Sequence, residues 1–286
     1  MKSTKSATRH SLLETALGLG CILAATMPSA RAASDTWDGG AADGNWQTTT
    51  NWASDVQFPG TNANVFTSLD DATFGAGTGT LNLGTTINVR SLIYGVAGGD
   101  AGSFTVGDAD DVLNFTTAGG VTINAGVTTA QALGLAGTTI NLSTLVNSTT
   151  TLTNNGSGLL TVAGNLVAVP PVGNSLLTVT GSGNTTISGA ITETGAGGSA
   201  LLKTGSGTLT LSGGSVFSGA AALGRIPAAA AGFPLVVREG TLLLNGGTHA
   251  PDGEIVIGGV VADGGAGQNA KIQVDGGTFN VNNWLS

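Results

Sequence analysis

Beyond the first 32 residues, few side chains in this sequence can do acid–base, nucleophilic or metal chemistry, and their spacing limits what they can do. One histidine remains, His249, in Gly246-Gly247-Thr248-His249-Ala250-Pro251-Asp252. A Ser-His-Asp relay needs a histidine base held against a serine. No Gly-x-Ser-x-Gly elbow stands at a strand-to-helix turn, and Gly181-Ser182-Gly183 and Gly205-Ser206-Gly207 read as glycine corners. His249 therefore reads as a solvated turn residue behind a strand. The densest carboxylate run is Asp108-Ala109-Asp110-Asp111, between Gly107 and a strand from Val112 to Phe115; Asp70-Asp71 is second. Hard cations take several oxygen ligands, so Asp108, Asp110 and Asp111 are the candidates for a Ca2+ site, against a plain acidic turn. The calcium-binding Gly-Gly-x-Gly-x-Asp pattern is not repeated, and Gly264-Gly265-Ala266-Gly267-Gln268-Asn269 lacks its aspartate. Cleaving an acidic polysaccharide needs carboxylates beside clustered cations, yet Arg90, Lys203, Arg225, Arg238 and Lys271 are scattered. The glycine-rich stretches lack a P-loop lysine, and no cofactor motif is present. The residues argue for a protein that is not an enzyme, with a carbohydrate-active enzyme kept as an alternative.

Three tryptophans carry the remaining candidate chemistry. Trp37, Trp46 and Trp52 lie in Trp37-Asp38-Gly39-Gly40, Gly44-Asn45-Trp46 and Asn51-Trp52. An indole stacks well on a sugar ring, which makes this cluster a candidate glycan-binding platform. The same rings could instead plug the first turn of a repetitive structure, where terminal repeats are atypical because they must cover an apolar end. Residues 33–76 are therefore a Trp-rich capping segment on one reading and a glycan platform on the other.

The first 32 residues read as an address. Lys2, Lys5 and Arg9 precede a mostly apolar run from Leu12 to Met27, and Ala30-Arg31-Ala32 supplies an A-x-A cleavage site before Ala33. The apolar run is short for a membrane span. A lipoprotein signal at Cys21 is the rival, although Gly18-Leu19-Gly20 lacks the usual upstream aliphatic. Removal of residues 1–32 takes four of the nine basic residues and one of the seventeen acidic ones, leaving a net charge of −11 and no cysteine. An acidic chain has no nucleic-acid footprint. Without thiols it has no disulfide, so packing and backbone hydrogen bonds must hold it.

The elements that must position these residues are strands. Charged residues make up only 9% of the chain and glycine occurs 48 times, a composition of short strands and many turns. Val121-Thr122-Ile123-Asn124 and Thr208-Leu209-Thr210-Leu211 alternate, placing Val121, Ile123, Leu209 and Leu211 inward and Thr122, Asn124 and Thr210 outward. Leu159-Leu160-Thr161-Val162 is echoed by Leu176-Leu177-Thr178-Val179, then by strands from Leu201, Leu235 and Ile272. The spacings of 17, 25, 34 and 37 residues are irregular, as in a repeat whose insertions fall in loops. Pro170-Pro171 and the stretch from Ser218 to Pro234 mark such loops. The expected fold is an all-β, right-handed parallel β-helix (β-solenoid) with an N-terminal aromatic cap, covering residues 77–286; an antiparallel β-sandwich is the alternative. The stop at Asn283-Trp284-Leu285-Ser286, directly after a strand pair, reads as a truncated product or a piece of a longer protein.

One unit carries a family pattern. Leu202-Lys203-Thr204-Gly205-Ser206-Gly207-Thr208-Leu209-Thr210-Leu211-Ser212-Gly213, then Val216-Phe217-Ser218-Gly219, and Val236-Val237-Arg238-Glu239-Gly240-Thr241-Leu242 resemble the autotransporter-associated β-strand repeat of bacterial passenger domains. The specific match spans residues 199–247, with an insertion after Gly219. The resemblance implies a right-handed parallel β-helix displayed at, or released from, a bacterial cell surface, and it does not imply a catalytic residue; the expected role is structural or adhesive. The expected partners are cell-surface glycans or other surface proteins, with no nucleic acid and no transmembrane segment in the mature chain.

Overall fold

The computed structural model describes residues 34–62, 68–96, 99–142, 148–168, 174–194, 197–218, 233–258, 269–281 and 285. The readings placed on residues 1–32, on Pro170-Pro171, on Gly264 to Gln268 and on most of the stretch after Ser218 lie outside them. The described strands form one hydrogen-bonded sheet, parallel in every strand pair and wound into three faces. This is the β-solenoid. The antiparallel sandwich is excluded, because neighbouring strands run in the same direction and are separated by a full circuit of chain.

The first face stacks β1 (Asp35–Trp37), β2 (Asp71–Phe74), the second halves of β4 (Thr86–Tyr94) and β6 (Val112–Ile123), then β9 (Ser148–Asn154), β12 (Ser175–Thr180), β15 (Ser199–Lys203), β18 (Leu235–Val237) and β20 (Ile255–Ile257). The second stacks β3 (Gly79–Leu81), β5 (Phe104–Val106), β7 (Gln131–Leu133), β10 (Leu160–Val162), β13 (Thr185–Ile187), β16 (Thr208–Leu211) and the first halves of β19 (Gly240–Pro251) and β21 (Ala270–Phe279). The third holds the first halves of β4 and β6, then β8 (Thr139–Leu142), β11 (Asn165–Ala168), β14 (Ile191–Glu193), β17 (Ser215–Phe217) and the second halves of β19 and β21.

Register turns alternation into columns. On the second face Leu81, Val106, Leu133, Val162, Ile187, Leu211 and Leu244 stack in successive turns, all at most 2% exposed, before the column ends at Val274. Leu209 is fully buried and Thr210 half-exposed, as their alternation requires. Burying each aliphatic side chain is worth about 1.5–3 kcal/mol, so the columns supply the driving force that disulfides do not. The sequence echoes do not report which face a strand belongs to. Leu160 belongs to the second face, and the register partner of Leu235 is Ile255 rather than Ile272. Spacing alone cannot separate two faces whose strands share one pattern.

The outer side of the first face is apolar over its later turns. Leu176, Ala200, Leu202, Val236 and Val256 form a second buried cluster, with Phe233 packed against it. The paired apolar residues Leu176-Leu177, Leu201-Leu202 and Val236-Val237 are its signature, since a strand buried on both sides loses alternation.

At the N-terminal end, residues 38–61 close all three free edges. Trp46 donates its N–H to Asn82 O at 2.9 Å on the second face, and Ala53 donates to Thr36 O at 2.9 Å on the first. Thr61 and Asn88 exchange hydrogen bonds of 3.0 and 2.8 Å on the third. The tryptophans fill the space inside. Trp46 and Trp52 are fully buried and Trp37 is 8% exposed, with edge-to-face contacts of 4.8 Å between Trp46 and Trp52 and 5.1 Å between Trp37 and Trp52. The two fully buried indoles each find an acceptor: Trp46 Nε1 donates to Pro59 O at 2.9 Å, and Trp52 Nε1 to Trp46 O at 2.7 Å.

Candidate functional site

The candidate site is the corner between the first and second faces, where glycine-rich turns stack on one another. Backbones approach so closely here that side chains are excluded. A Cβ on Gly205, whose φ is +72°, would lie 2.5 Å from the nitrogen and oxygen of Gly181; one on Gly240, φ +75°, would lie 2.4 Å from Gly207 O and 2.9 Å from Lys203 Nζ. These glycines allow turns to stack at the strand spacing.

Beside this stack runs a shallow groove of about 300 Å3, lined by Ala125, Asn155, Gly156, Ser157, Ser182, Gly183 and Asn184. Asn154 builds its floor. Its Nδ2 donates to Gly158 O at 2.9 Å and to Asn184 O at 2.7 Å, and its Oδ1 accepts from Gly156 N at 3.1 Å. The exposed amides and hydroxyls of Asn155, Ser157, Ser182 and Asn184 come from two successive turns. They are neutral donors and acceptors. The groove can hydrogen-bond a polyhydroxylated ligand, and its lining holds no group able to transfer a proton at neutral pH.

Farther along the corner, Lys203 occupies an inward position. Its register column reads Leu92, Val121, Leu152, Val179, Lys203, Val237, so an ammonium stands where every neighbour is aliphatic. Lys203 is 2% exposed. Its Nζ donates to Thr204 O at 2.6 Å, Gly205 O at 2.6 Å and Glu239 O at 3.1 Å, one proton for each carbonyl. Burial pushes its pKa down to about 8, opposed by the Glu239 carboxylate. Lys203 thus ties two consecutive corners together from inside. Sequence reasoning missed it, although alternation from inward Leu201 through outward Leu202 points it inward.

His249 is also internal, and the solvated-turn reading is corrected. It lies in β19, 2% exposed, directly above Ser215 in the third-face column Leu166, Ile191, Ser215, His249, Phe279. Ser215 Oγ lies 2.8 Å from His249 Nδ1, and His249 Nε2 lies 2.7 Å from Gly246 O. The carbonyl can only accept, which assigns the ring proton to Nε2 and makes Nδ1 the acceptor of the serine hydroxyl. Burial lowers the pKa of His249, opposed by the bond to Gly246. This serine–histidine pair is walled off by its own strands, with Ser215 also at 2% exposure. Register breaks between Leu244, Asn245 and Thr248 hide its place from a sequence reading.

The acidic candidates are turn-makers. Asp108 Oδ2 accepts from Asn82 Nδ2 at 2.7 Å, and Asp111 Oδ2 accepts from the N–H groups of Leu83 and Asp108 at 2.8 and 3.0 Å. Asp110 stands exposed with φ +72°. The described residues contain no group of three or more His, Cys, Asp or Glu able to hold a metal. Asp71 pairs with Arg90, and buried Asp70 accepts from Gly60 N at 2.8 Å. Trp37, Trp46 and Trp52 face inward against Phe74 and one another, so they present no coplanar outer surface for a sugar. No helix among the described residues is long and apolar enough to cross a membrane.

The fold and the corner define a parallel β-solenoid with a neutral polar groove. Comparisons with family models, with curated proteins and with solved structures gave no match to this chain.

Proposed function

We propose that this chain is an exported β-solenoid passenger, displayed on or released from a bacterial cell surface, that serves as a non-catalytic structural and adhesive scaffold. The observation that carries this reading is the corner groove, where neutral amides and hydroxyls from stacked turns meet solvent while Lys203 and His249 are engaged within the stack. Such a lining suits neutral glycans better than uronates, which call for cations. Export is supported by the basic, apolar and small-residue order of residues 1–32. The passenger reading is supported by the repeat pattern of residues 199–247, whose Lys203 and Gly205 both have structural reasons to be there.

The test is nuclear magnetic resonance titration of the purified chain with neutral and acidic oligosaccharides. The expected result is perturbation of Asn155, Ser157, Ser182 and Asn184 amides by neutral sugars, lost when Ser182→Phe fills the groove. Depolymerisation of a polysaccharide by the chain, or sugar binding indifferent to Ser182→Phe, would overturn the reading. Expression in a Gram-negative host checks the address separately: the exported product should begin at Ala33.

A further inference from the structure

The chain contains two Asn-Gly pairs, Asn155-Gly156 and Asn245-Gly246. An asparagine before glycine is open to attack by its own backbone, because glycine has no side chain to shield its nitrogen and lets the chain bend into a ring. The two pairs stand at different corners of the solenoid and are held differently. Asn155 is exposed, but three successive N–H groups pin its backbone. Asn155 N donates to Ile123 O at 2.9 Å, Gly156 N to Asn154 Oδ1 at 3.1 Å, and Ser157 N to Val127 O at 3.0 Å. Gly156 is buried, and a Cβ there would lie 2.4 Å from Val127 O. The nitrogen that would attack is committed as a donor, and the peptide cannot turn without leaving its neighbouring turn.

Asn245-Gly246 lies at the corner between the second and third faces, where the ladder is interrupted. β16 accompanies β19 as far as Leu244, and β17 meets it again at His249. β21 pairs with Asn245 and next with Thr248, with a register shift on either side of Asn245. Gly246 and Gly247 thus have no register partner in the turn before or the turn after, and their φ angles are +124° and +67°. Asn245 and Gly247 are exposed. Asn245 Oδ1 and Gly246 N each lie 3.6 Å from the position that a Cβ on Gly276 would take, so the side-chain amide and the neighbouring nitrogen face the same side of the corner.

We propose that Asn245 is a site of spontaneous deamidation set by this fold, and that the fold protects Asn155 from the same reaction. Gly246 N loses its proton to hydroxide and attacks Asn245 Cγ. The N–Cγ bond forms, the Cγ–Nδ2 bond breaks, and ammonia leaves with a proton from water, closing a succinimide ring. Water then opens the ring at either carbonyl, giving aspartate or isoaspartate. Both products place a new carboxylate beside the peptide whose carbonyl, Gly246 O, holds His249 Nε2. The protected pair is the one that lines the groove, which stays neutral as long as Asn155 keeps its amide.

The test is peptide mapping by mass spectrometry of the purified chain held in mildly alkaline buffer, native and in urea. In the native chain, conversion at Asn245 should run at least about tenfold faster than at Asn155, roughly the factor that one net hydrogen bond supplies. In urea the two rates should converge. Asn154→Ala frees Gly156 N, so a chain carrying it that keeps its circular dichroism spectrum should convert at Asn155 as well; the comparison of native and urea-unfolded wild type stands whether or not that variant folds. The proposal is overturned by an Asn245 that keeps its amide in the native chain while converting in urea, by a native Asn155 that reacts as fast as Asn245, or by a folded Asn154→Ala chain whose Asn155 stays protected.

Discussion

The first and the last described turns of the solenoid differ in how their apolar interior and strand edges are covered. At the N-terminal end, short pieces of residues 38–61 hydrogen-bond to each face, and two fully buried indoles fill the interior. At the other end, β21 leaves one edge without a described strand and Val274 half in solvent. The first turn shows that closing a parallel β-helix takes more than a large side chain. Hydrogen-bond partners must reach three separate edges, and a cap that does so has to leave the repeat pattern, which is why residues 38–61 contain almost no strand.

The most direct way to break this contrast is to truncate a residue at each end. Trp52→Ala should cost about 3–5 kcal/mol in urea denaturation, whereas Phe279→Ala, only partly buried, should cost a fraction of that. Equal losses would mean that the two ends are alike. A middle turn calibrates the scale: Leu209→Ala should cost about 2–5 kcal/mol, and Thr210→Ala, on the outer side of the same strand, within about 0.5 kcal/mol.

The polar residues buried between the ends sharpen the comparison through pH. Lys203 has a pKa of about 8 when folded, below its ordinary value of 10.5. The unfolded chain therefore holds more protons in that window, and stability should rise as pH increases from about 8 to 10.5. In Lys203→Met that rise should vanish from melting temperatures measured across the window. The depressed pKa of His249 acts with the same sign at lower pH, so stability should fall as pH drops through 6.5 and below, an effect lost in His249→Gln. Ser215→Ala leaves His249 Nδ1 without its donor and should cost about 1–3 kcal/mol; an unchanged melting temperature would show that the bond contributes nothing.

The strands and their inner faces were legible because alternation is a local property. Leu209 against Thr210, and Val121 and Ile123 against Thr122, could be assigned from four residues each. Three-faced winding was not legible. The circuit length varies with each loop, so the echo from Leu235 to Ile272 crosses a face boundary, and the register partner of Leu235 is Ile255. The tryptophans were visible as a cap or a platform, and their burial, their packing on Phe74 and the hydrogen bonds of Trp46 and Trp52 to Pro59 O and Trp46 O are not readable from spacing. The groove was hidden for another reason: its lining comes from turns about 27 residues apart in sequence (Asn155 and Ser182) that register alone brings side by side. His249 was misread because a bulge in β19 shifts it out of the local pattern.

The most direct test of in-register parallel stacking uses paired cysteines on the outer side of the second face, with Cys21 replaced by serine. Thr161 and Thr186 are register partners on adjacent turns, and Thr210 lies one turn further. Adjacent partners are about 4.8 Å apart, within the Cα range of about 4.4–6.8 Å that a disulfide spans. Oxidation should link Thr161→Cys to Thr186→Cys within one chain and leave Thr161→Cys with Thr210→Cys unlinked. A link in the second pair, or none in the first, would contradict the stacked solenoid.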